Sequence, residues 1–539
     1  MGSSLPLGSR AASRHGNSFA ETNSSQRQHQ RTSIVQALSS ITLHFQKDKQ
    51  LQNLASNDIK YAAKRPAVPV SFLTHNGPSL VTNLASTSFN PSPVKSDPAH
   101  TRALEKLLRR INETVPFQDR SDLSSFVNWK GNAASPIHRW LRYREAYSPH
   151  LITKLSLGKR ILDPFCGCGS IMIGAAENGL SSVGIDINPL AIFATRVKLK
   201  PLPRAKLSGI RKFINALDSE GELGGLWPAP ALSIATKVFE PAILDTLLRI
   251  RSLNETVFSV DQESRDFLHL AWISILETVG SYFKEGNGIK YRNKKRLKTG
   301  YIHRPEGKWQ RERFGSDQSQ FVLDAFCSHV RMMLEDARYW REGNWHDQSV
   351  IQGNVLEMDQ LLSEQRFDSV VFSPPYANRF DYFESMKVEL WFGGFVDSYE
   401  SINRYRKASL RSHLGADLNR SYEPVESLES LIALMDKDAS SWRMGVPDLL
   451  RGYFDDMRVT LKHCRKALNG GKCFIVVGNS AFAGVIIPTD VLLARLGMEC
   501  GFKKAKILVT RHLTVAPQQR NQLSTLEDNM RESVVVLSK

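Results

Sequence analysis

This chain of 539 residues has only six cysteines, and their spacing is irregular, which excludes a disulfide framework. The one close pair, Cys166-x-Cys168, has the wrong spacing for zinc and no second pair follows it, so no metal site is expected. The thiols read as reduced, as in a cytoplasmic protein. Long apolar runs are also missing. No stretch reaches the eighteen or so residues of a membrane span, so no membrane partner is expected. The first thirty residues lack an apolar core followed by a small-residue cleavage site, so no secretory signal is expected. Acidic residues are scarce relative to basic ones: 54 Asp and Glu against 71 Lys and Arg give a formal charge of +17. That surplus favours a polyanionic partner, nucleic acid before membrane, over a merely solvated basic surface.

The chain divides by composition. Residues 1–100 are rich in Ser, Asn, Gln and Pro and show little apolar periodicity, so a disordered or weakly ordered region is expected, with a short basic helix over Ala103 to Ile111. Alternating strands and helices begin in 101–204. Arg160 to Leu162 reads as a short buried strand, Ile171 to Ala176 as a helix, Ser182 to Ile185 as a second strand and Leu190 to Leu199 as a second helix. Residues 205–345 interrupt the alternation with helical patterns at Pro241 to Ile250, Ser264 to Tyr282 and Phe321 to Tyr339. It resumes in 346–539. Strands are expected at Ser349 to Gln352, Ser369 to Phe372 and Cys473 to Val477, and helices at Asp448 to Leu468 and Thr489 to Leu496. Lys506 to Thr510 and Ser533 to Leu537 complete it as an antiparallel pair. The expected fold is α/β: a doubly wound, mostly parallel Rossmann-like sheet with a helical insertion.

Two motifs about two hundred residues apart carry chemistry. The first, Asp163-Pro164-Phe165-Cys166-Gly167-Cys168-Gly169-Ser170, is a glycine turn between a strand and a helix. Gly167 and Gly169 let backbone N–H groups approach a ligand, and Phe165 can pack against it. The turn does not end in Lys-[Ser/Thr], which excludes a phosphate-cradling loop, and Met172 breaks the G-x-G-x-x-G spacing of a dinucleotide site. Asp186 ends the next strand, placed either to take two ribose hydroxyls or to cap a helix beside Asn188-Pro189. Asn354, after the third strand, is either an adenine contact or a turn residue. The second motif, Ser373-Pro374-Pro375-Tyr376, follows the apolar run Val370-Val371-Phe372. Two prolines fix φ and hold Ser373 extended. The result is a stiff ledge of acceptors, the Ser373 hydroxyl and the Pro374 carbonyl, suited to gripping the amino group of a flat ring on which Tyr376 stacks. Read alone, the tetrapeptide is slightly better taken as a proline-rich turn or ligand; its place directly after that apolar run, at the mouth of an α/β sheet, makes it a site. No Pro-Cys dipeptide occurs, which argues against attack on a ring carbon.

With both motifs in hand, the chain resembles the amino-methyltransferases that act on N4 of cytosine or N6 of adenine in DNA, over roughly 125–200 and 346–539. The resemblance implies S-adenosylmethionine (SAM) as cofactor, the turn Asp163 to Gly169 as its site and Ser373 to Tyr376 as catalytic residues. The segment Trp140 to Ile152, with Ser148, looks like the one that covers the methionine end of SAM. Leu468 to Gly471 and Arg531 to Val534 look like later core segments. A Ser at the head of the tetrapeptide leans toward N4 of cytosine. N6 of adenine and an RNA guanine N2 are the alternatives, and a non-catalytic DNA-binding protein is the least favoured. Where the family commonly has an acid this chain has Asn354.

The segment from Lys290 to Arg313 holds ten Lys and Arg and two acidic residues, interleaved with Tyr291, Tyr301 and Trp309. Lys290, Arg292, Lys294, Lys295, Arg296 and Lys298 are candidate contacts to the phosphates of double-stranded DNA, as are Arg404 and Arg406 beyond the tetrapeptide. The insertion is therefore the candidate target-recognition region, and a cognate restriction endonuclease a candidate partner.

Overall fold

The computed structural model describes residues 98–539, apart from 129–130, 132–133, 144–146, 221–222, 287, 293, 298–299, 304–307 and 516–518. The reading of 1–97 as weakly ordered, and the positions of Trp129 and Lys298, lie outside the described residues, as do the side chains of 293–308.

Eight strands form one sheet: β1 (Phe117–Asp119), β2 (Arg160–Asp163), β3 (Ser181–Asp186), β4 (Gln348–Gln352), β5 (Phe367–Phe372), β6 (Leu468–Gly478), β7 (Lys504–His512) and β8 (Arg531–Ser538). Their order is β1-β7-β8-β6-β5-β2-β3-β4. Only β8 runs against its neighbours, β6 and β7; every other pairing is parallel. From β2 the chain steps outward to β3 and β4, then returns to the opposite flank of β2 as β5. This reversal leaves a crevice beyond the carboxyl ends of β2 and β5.

The central strands are apolar on both faces because both faces are covered. In β8, Val534 and Val536 join one core cluster while Val535 and Leu537 join another; in β6, Phe474 and Val476 oppose Cys473, Ile475 and Val477 in the same way. A period of two with no polar face marks a strand buried between helix layers. The helices Val446–Ala467 and Thr489–Glu499 supply one layer.

β6 begins directly at the end of the preceding helix, earlier than its sequence indicates. Leu468 pairs with Phe367, and an irregularity between Leu468 and Lys472 absorbs Asn469 to Gly471. A Cβ on Gly471 would stand 1.7 Å from the Asp368 carbonyl oxygen, so no other residue fits there.

The insertion packs the helices Arg204–Glu220, Pro241–Val257, Gln262–Val279 and Gln318–Asp336 into a shared core with residues after the tetrapeptide, among them Phe383, Val388 and Trp391. The third of these helices stops at Val279, short of the expected Tyr282. Tyr282 instead opens the first of two hairpins, Tyr282–Glu285 with Gly288–Tyr291 and Lys294–Leu297 with Gly300–His303, which carry the basic segment. The Tyr282 hydroxyl donates to Glu389 (2.9 Å), which also pairs with Lys284 (2.7 Å); all three residues are buried. No helix among the described residues is long and apolar enough to cross a membrane.

Candidate active site

The glycine turn is built from backbone donors and two carboxylates. Asp163, at the end of β2, is buried and accepts from the Phe165 N–H and the Tyr147 hydroxyl, both at 3.1 Å. Burial pushes its carboxyl up to about 7, and the nearby charge of Asp186 adds to the rise. Asp186 accepts from the Gly167 N–H (2.9 Å) and the Asn188 N–H (2.8 Å). The helix Pro189–Lys198 is capped by Asn188, whose Oδ1 accepts from the Leu190 N–H. Asp186 therefore is not the helix cap; it ties the turn to the end of β3. Gly167 has φ +49° and Gly169 φ +87°. A Cβ at Gly169 would stand 2.9 Å from Thr195 Cγ2, so this glycine serves helix packing.

A cleft of about 920 Å³, including the part open to solvent, lies above these strands. Phe165, Gly167, Asp186 and Asn188 line it, as do Ser373 and Pro375 from the end of β5. The two motifs thus meet in one cavity. Tyr143 and Tyr147 form part of its wall, Gly353 and Asn354 another part, and Ser409, Ser412 and His413 a further one. Burial pushes the Cys166 and Cys168 thiols up, so neither is a thiolate nucleophile. The Nδ2 of Asn188 is buried and makes no hydrogen bond. An adenosyl nucleoside fits this set: a carboxylate at Asp186, an unsatisfied donor at Asn188, and aromatic walls.

No family model matches the chain. It is 23% identical over 461 residues to the Type II methyltransferase M.AvaI of Nostoc sp., covering 78% of this chain and 94% of that one. It is 26% identical over 448 residues to the Type II methyltransferase M.BsoBI of Geobacillus stearothermophilus, covering 75% and 85%. The chain is a homologue of the Type II methyltransferases. A shorter match, 39% over 75 residues, is to a tRNA (guanine(10)-N2)-dimethyltransferase of Methanothermobacter thermautotrophicus and spans 13% of this chain and 22% of that one. S-adenosylmethionine is the methyl donor of this chemistry, and the cleft residues suit it.

Several expected site residues of this methyltransferase stand elsewhere than their sequence position implies. Pro374 is buried behind Ser373, and Asp163 and Gly169 lie behind the cleft lining. Ser148 does not line the cleft either: its Oγ accepts from the His150 N–H and caps a short 3-10 turn. Tyr143 and Tyr147 from the same segment take that wall. Asn354 does line the cleft, but both ends of its amide are engaged. Its Oδ1 accepts from the Leu356 N–H, and its Nδ2 donates to the Ala408 carbonyl (2.8 Å). Tyr376 is not among the residues that line the cleft, and it is anchored, not loose. Its hydroxyl donates to Glu532 Oε1 (3.0 Å), its ring lies against Gly478, and Glu532 is buried and paired with Arg511 (2.5 Å).

The basic residues also divide. Arg406 is an internal cation: its Nε pairs with Asp381 (2.7 Å), its Nη1 donates to Asn403, and Gly415 packs on its guanidinium. Asp381 in turn faces His413 in the cleft wall, so Arg406 braces the site and is not a phosphate contact. Arg404 donates to Ser401 within its own helix. Arg292 donates to the Tyr282 carbonyl and lies over the Phe283 ring, holding the first hairpin together. Lys290 makes an exposed pair with Glu285. Lys294, Lys295 and Arg296 follow one another on a strand of the second hairpin.

Proposed function

We propose that this methyltransferase transfers a methyl group from SAM to the exocyclic amino group of a base flipped out of double-stranded DNA at a specific site, and that the group is N4 of cytosine. The observation that carries this reading is the shared cleft, in which Ser373 and Pro375 face the residues of the glycine turn. Bound SAM would supply the methyl group and leave as S-adenosylhomocysteine, and the amino nitrogen that takes the methyl would release one proton to solvent.

The chain's own residues do the rest by position and electrostatics. Ser373 Oγ, at the cleft wall, accepts an amino hydrogen, which turns the nitrogen lone pair out of conjugation and toward the donor. The prolines hold this acceptor stiff, and Glu532 holds Tyr376 beside it, so that its ring is already set when the base arrives. Flipping is required because a paired amino group lies inside the duplex. The hairpin cations Lys294, Lys295 and Arg296 supply phosphate contacts, and 205–345 supplies target recognition. The serine at position 373 favours cytosine over adenine. A companion endonuclease of the same site specificity is the partner this reading implies.

Transfer of label from SAM to plasmid DNA and to total tRNA, followed by nucleoside mass spectrometry, tests the reading. N4-methylcytosine in DNA is the expected product. N6-methyladenine would overturn the base assignment, and label confined to tRNA would overturn DNA as substrate. Ser373→Ala is expected to lose transfer by at least about a hundredfold while SAM binding is kept.

A further inference from the structure

Arg379, three residues beyond Tyr376, stands out for what it lacks. Its backbone has φ +69°, a left-handed conformation that an arginine adopts only when its surroundings impose it. Those surroundings are local. The Asn378 N–H donates to the Tyr376 carbonyl (2.7 Å), Asn378 Oδ1 accepts from the Phe380 N–H, and the Arg379 N–H donates to the carbonyl of Ser412, a cleft-wall residue. The guanidinium is thereby aimed across the face of Phe482, 5.7 Å from the ring centroid. It forms no ion pair with any described carboxylate. Its Nε is buried without a hydrogen bond, and its one side-chain contact of that kind is a long approach of Nη1 to Met444 Sδ (3.9 Å). Burial lowers its pKa with no acid to restore it. Other well-buried arginines here have partners: Arg411 has Asp455 and Asp456, and Arg531 has Asp490. A half-buried cation with an unfilled fork, held on an aromatic platform beside the catalytic ledge, is suited to an oxyanion.

We propose that Arg379 is a positioning residue that clamps a backbone phosphate of the DNA strand carrying the flipped base. The inference rests on DNA being the substrate. A flipped nucleotide swings about its own phosphodiesters. A fixed fork next to the tetrapeptide meets those phosphates first, and it registers the base against Ser373 without reading sequence.

The test uses the full-length enzyme and a duplex containing its mapped methylation site. Affinity of the wild type, Arg379→Gln and Arg379→Lys is measured by anisotropy over a salt series. Arg379→Gln is expected to bind about tenfold more weakly, with the log–log salt slope shallower by about 0.9, the equivalent of one phosphate left unpaired; Arg379→Lys keeps the slope. A neutral methylphosphonate at one of the phosphates flanking the target base should weaken the wild type and leave Arg379→Gln unaffected. Because no counter-charge is orphaned, the thermal midpoint of Arg379→Gln should not fall. An unchanged slope, or equal methylphosphonate losses in both proteins, overturns the clamp, as does a lowered midpoint with normal DNA binding. If the wild type itself labels no DNA, the functional reading fails first, and that outcome is separate from these.

Discussion

The Tyr376–Glu532 hydrogen bond yields a quantitative test of how the catalytic ledge is held. Glu532 sits in β8 and Tyr376 at the end of β5, with β6 between them, so their hydrogen bond spans the sheet. A hydrogen bond to a charged acceptor contributes about 1.5–3 kcal/mol. Here the lower end applies, because Tyr376 is half-buried and Glu532 keeps Arg511 when the tyrosine hydroxyl is removed. Tyr376→Phe and Glu532→Gln should each reduce unfolding free energy by about 1–2 kcal/mol, measured by urea denaturation. The double variant should lose little more than the worse single, giving a coupling of about 1 kcal/mol. The kinetics should split differently. Tyr376→Phe keeps the ring and should lower kcat by only about tenfold. Tyr376→Ala removes the ring and should lose on the order of a hundredfold. Strictly additive stabilities would show that the bond contributes nothing, and equal kcat losses for Phe and Ala would show that the hydroxyl, not the ring, matters.

Asp163 should give a pH signature. Its folded pKa is raised to about 7 from 3.8, so the folded state holds a proton that the unfolded state releases, and stability falls as pH rises from about 4 to 7. Asp163→Asn should therefore gain on the wild type by about 2–3 kcal/mol between pH 5 and pH 8 in paired denaturation curves; a constant difference would refute the shift. Gly167→Val should abolish SAM binding in calorimetry, since φ is +49° and the residue lines the cleft; retained binding would remove the turn from the cofactor site. Arg406→Ala should lower the thermal midpoint and leave the DNA salt slope unchanged, because it takes the guanidinium away from buried Asp381 and leaves it the Glu384 N–H and His413. Alanines at Lys294, Lys295 and Arg296 should do the reverse, flattening the slope by about 0.9 for each phosphate no longer neutralised.

Seven of the eight strands of the sheet were legible, the exception being the edge strand Phe117–Asp119, three exposed residues. The central ones were legible because burial on both faces leaves runs such as Val370-Val371-Phe372, bounded by Gly and Pro turns. The antiparallel last pair was legible for the same reason, as was the convergence of the glycine turn with Ser373: a doubly wound sheet places both at one reversal of strand order. What was not legible depends on partners far along the chain. Tyr376 finds its acceptor 156 residues later, and no local pattern in Arg531-Glu532-Ser533 marks it. Arg406 read as a surface cation because its neighbours Tyr405 and Lys407 are of the surface type, yet Asp381 draws it inward. Ser148 had a hydroxyl at a useful position, but the nearest orphan donor was the backbone of its own turn. The basic segment carries too few apolar residues to show a strand period, so its two hairpins left no trace. Ser409 and His413, which also line the cleft, sit in a stretch with no motif at all.

The buried cluster of Lys284, Tyr282 and Glu389 joins the base of the first hairpin to the helix Lys387–Phe392, the second after the tetrapeptide. Cutting the insertion out would strand Glu389 without its cation, and grafting in a foreign one would bring a mismatched seam against Phe383, Val388 and Trp391. The insertion and the sheet that carries the cleft are therefore not separable modules: they share one hydrophobic joint, and any exchange between relatives has to leave that joint intact.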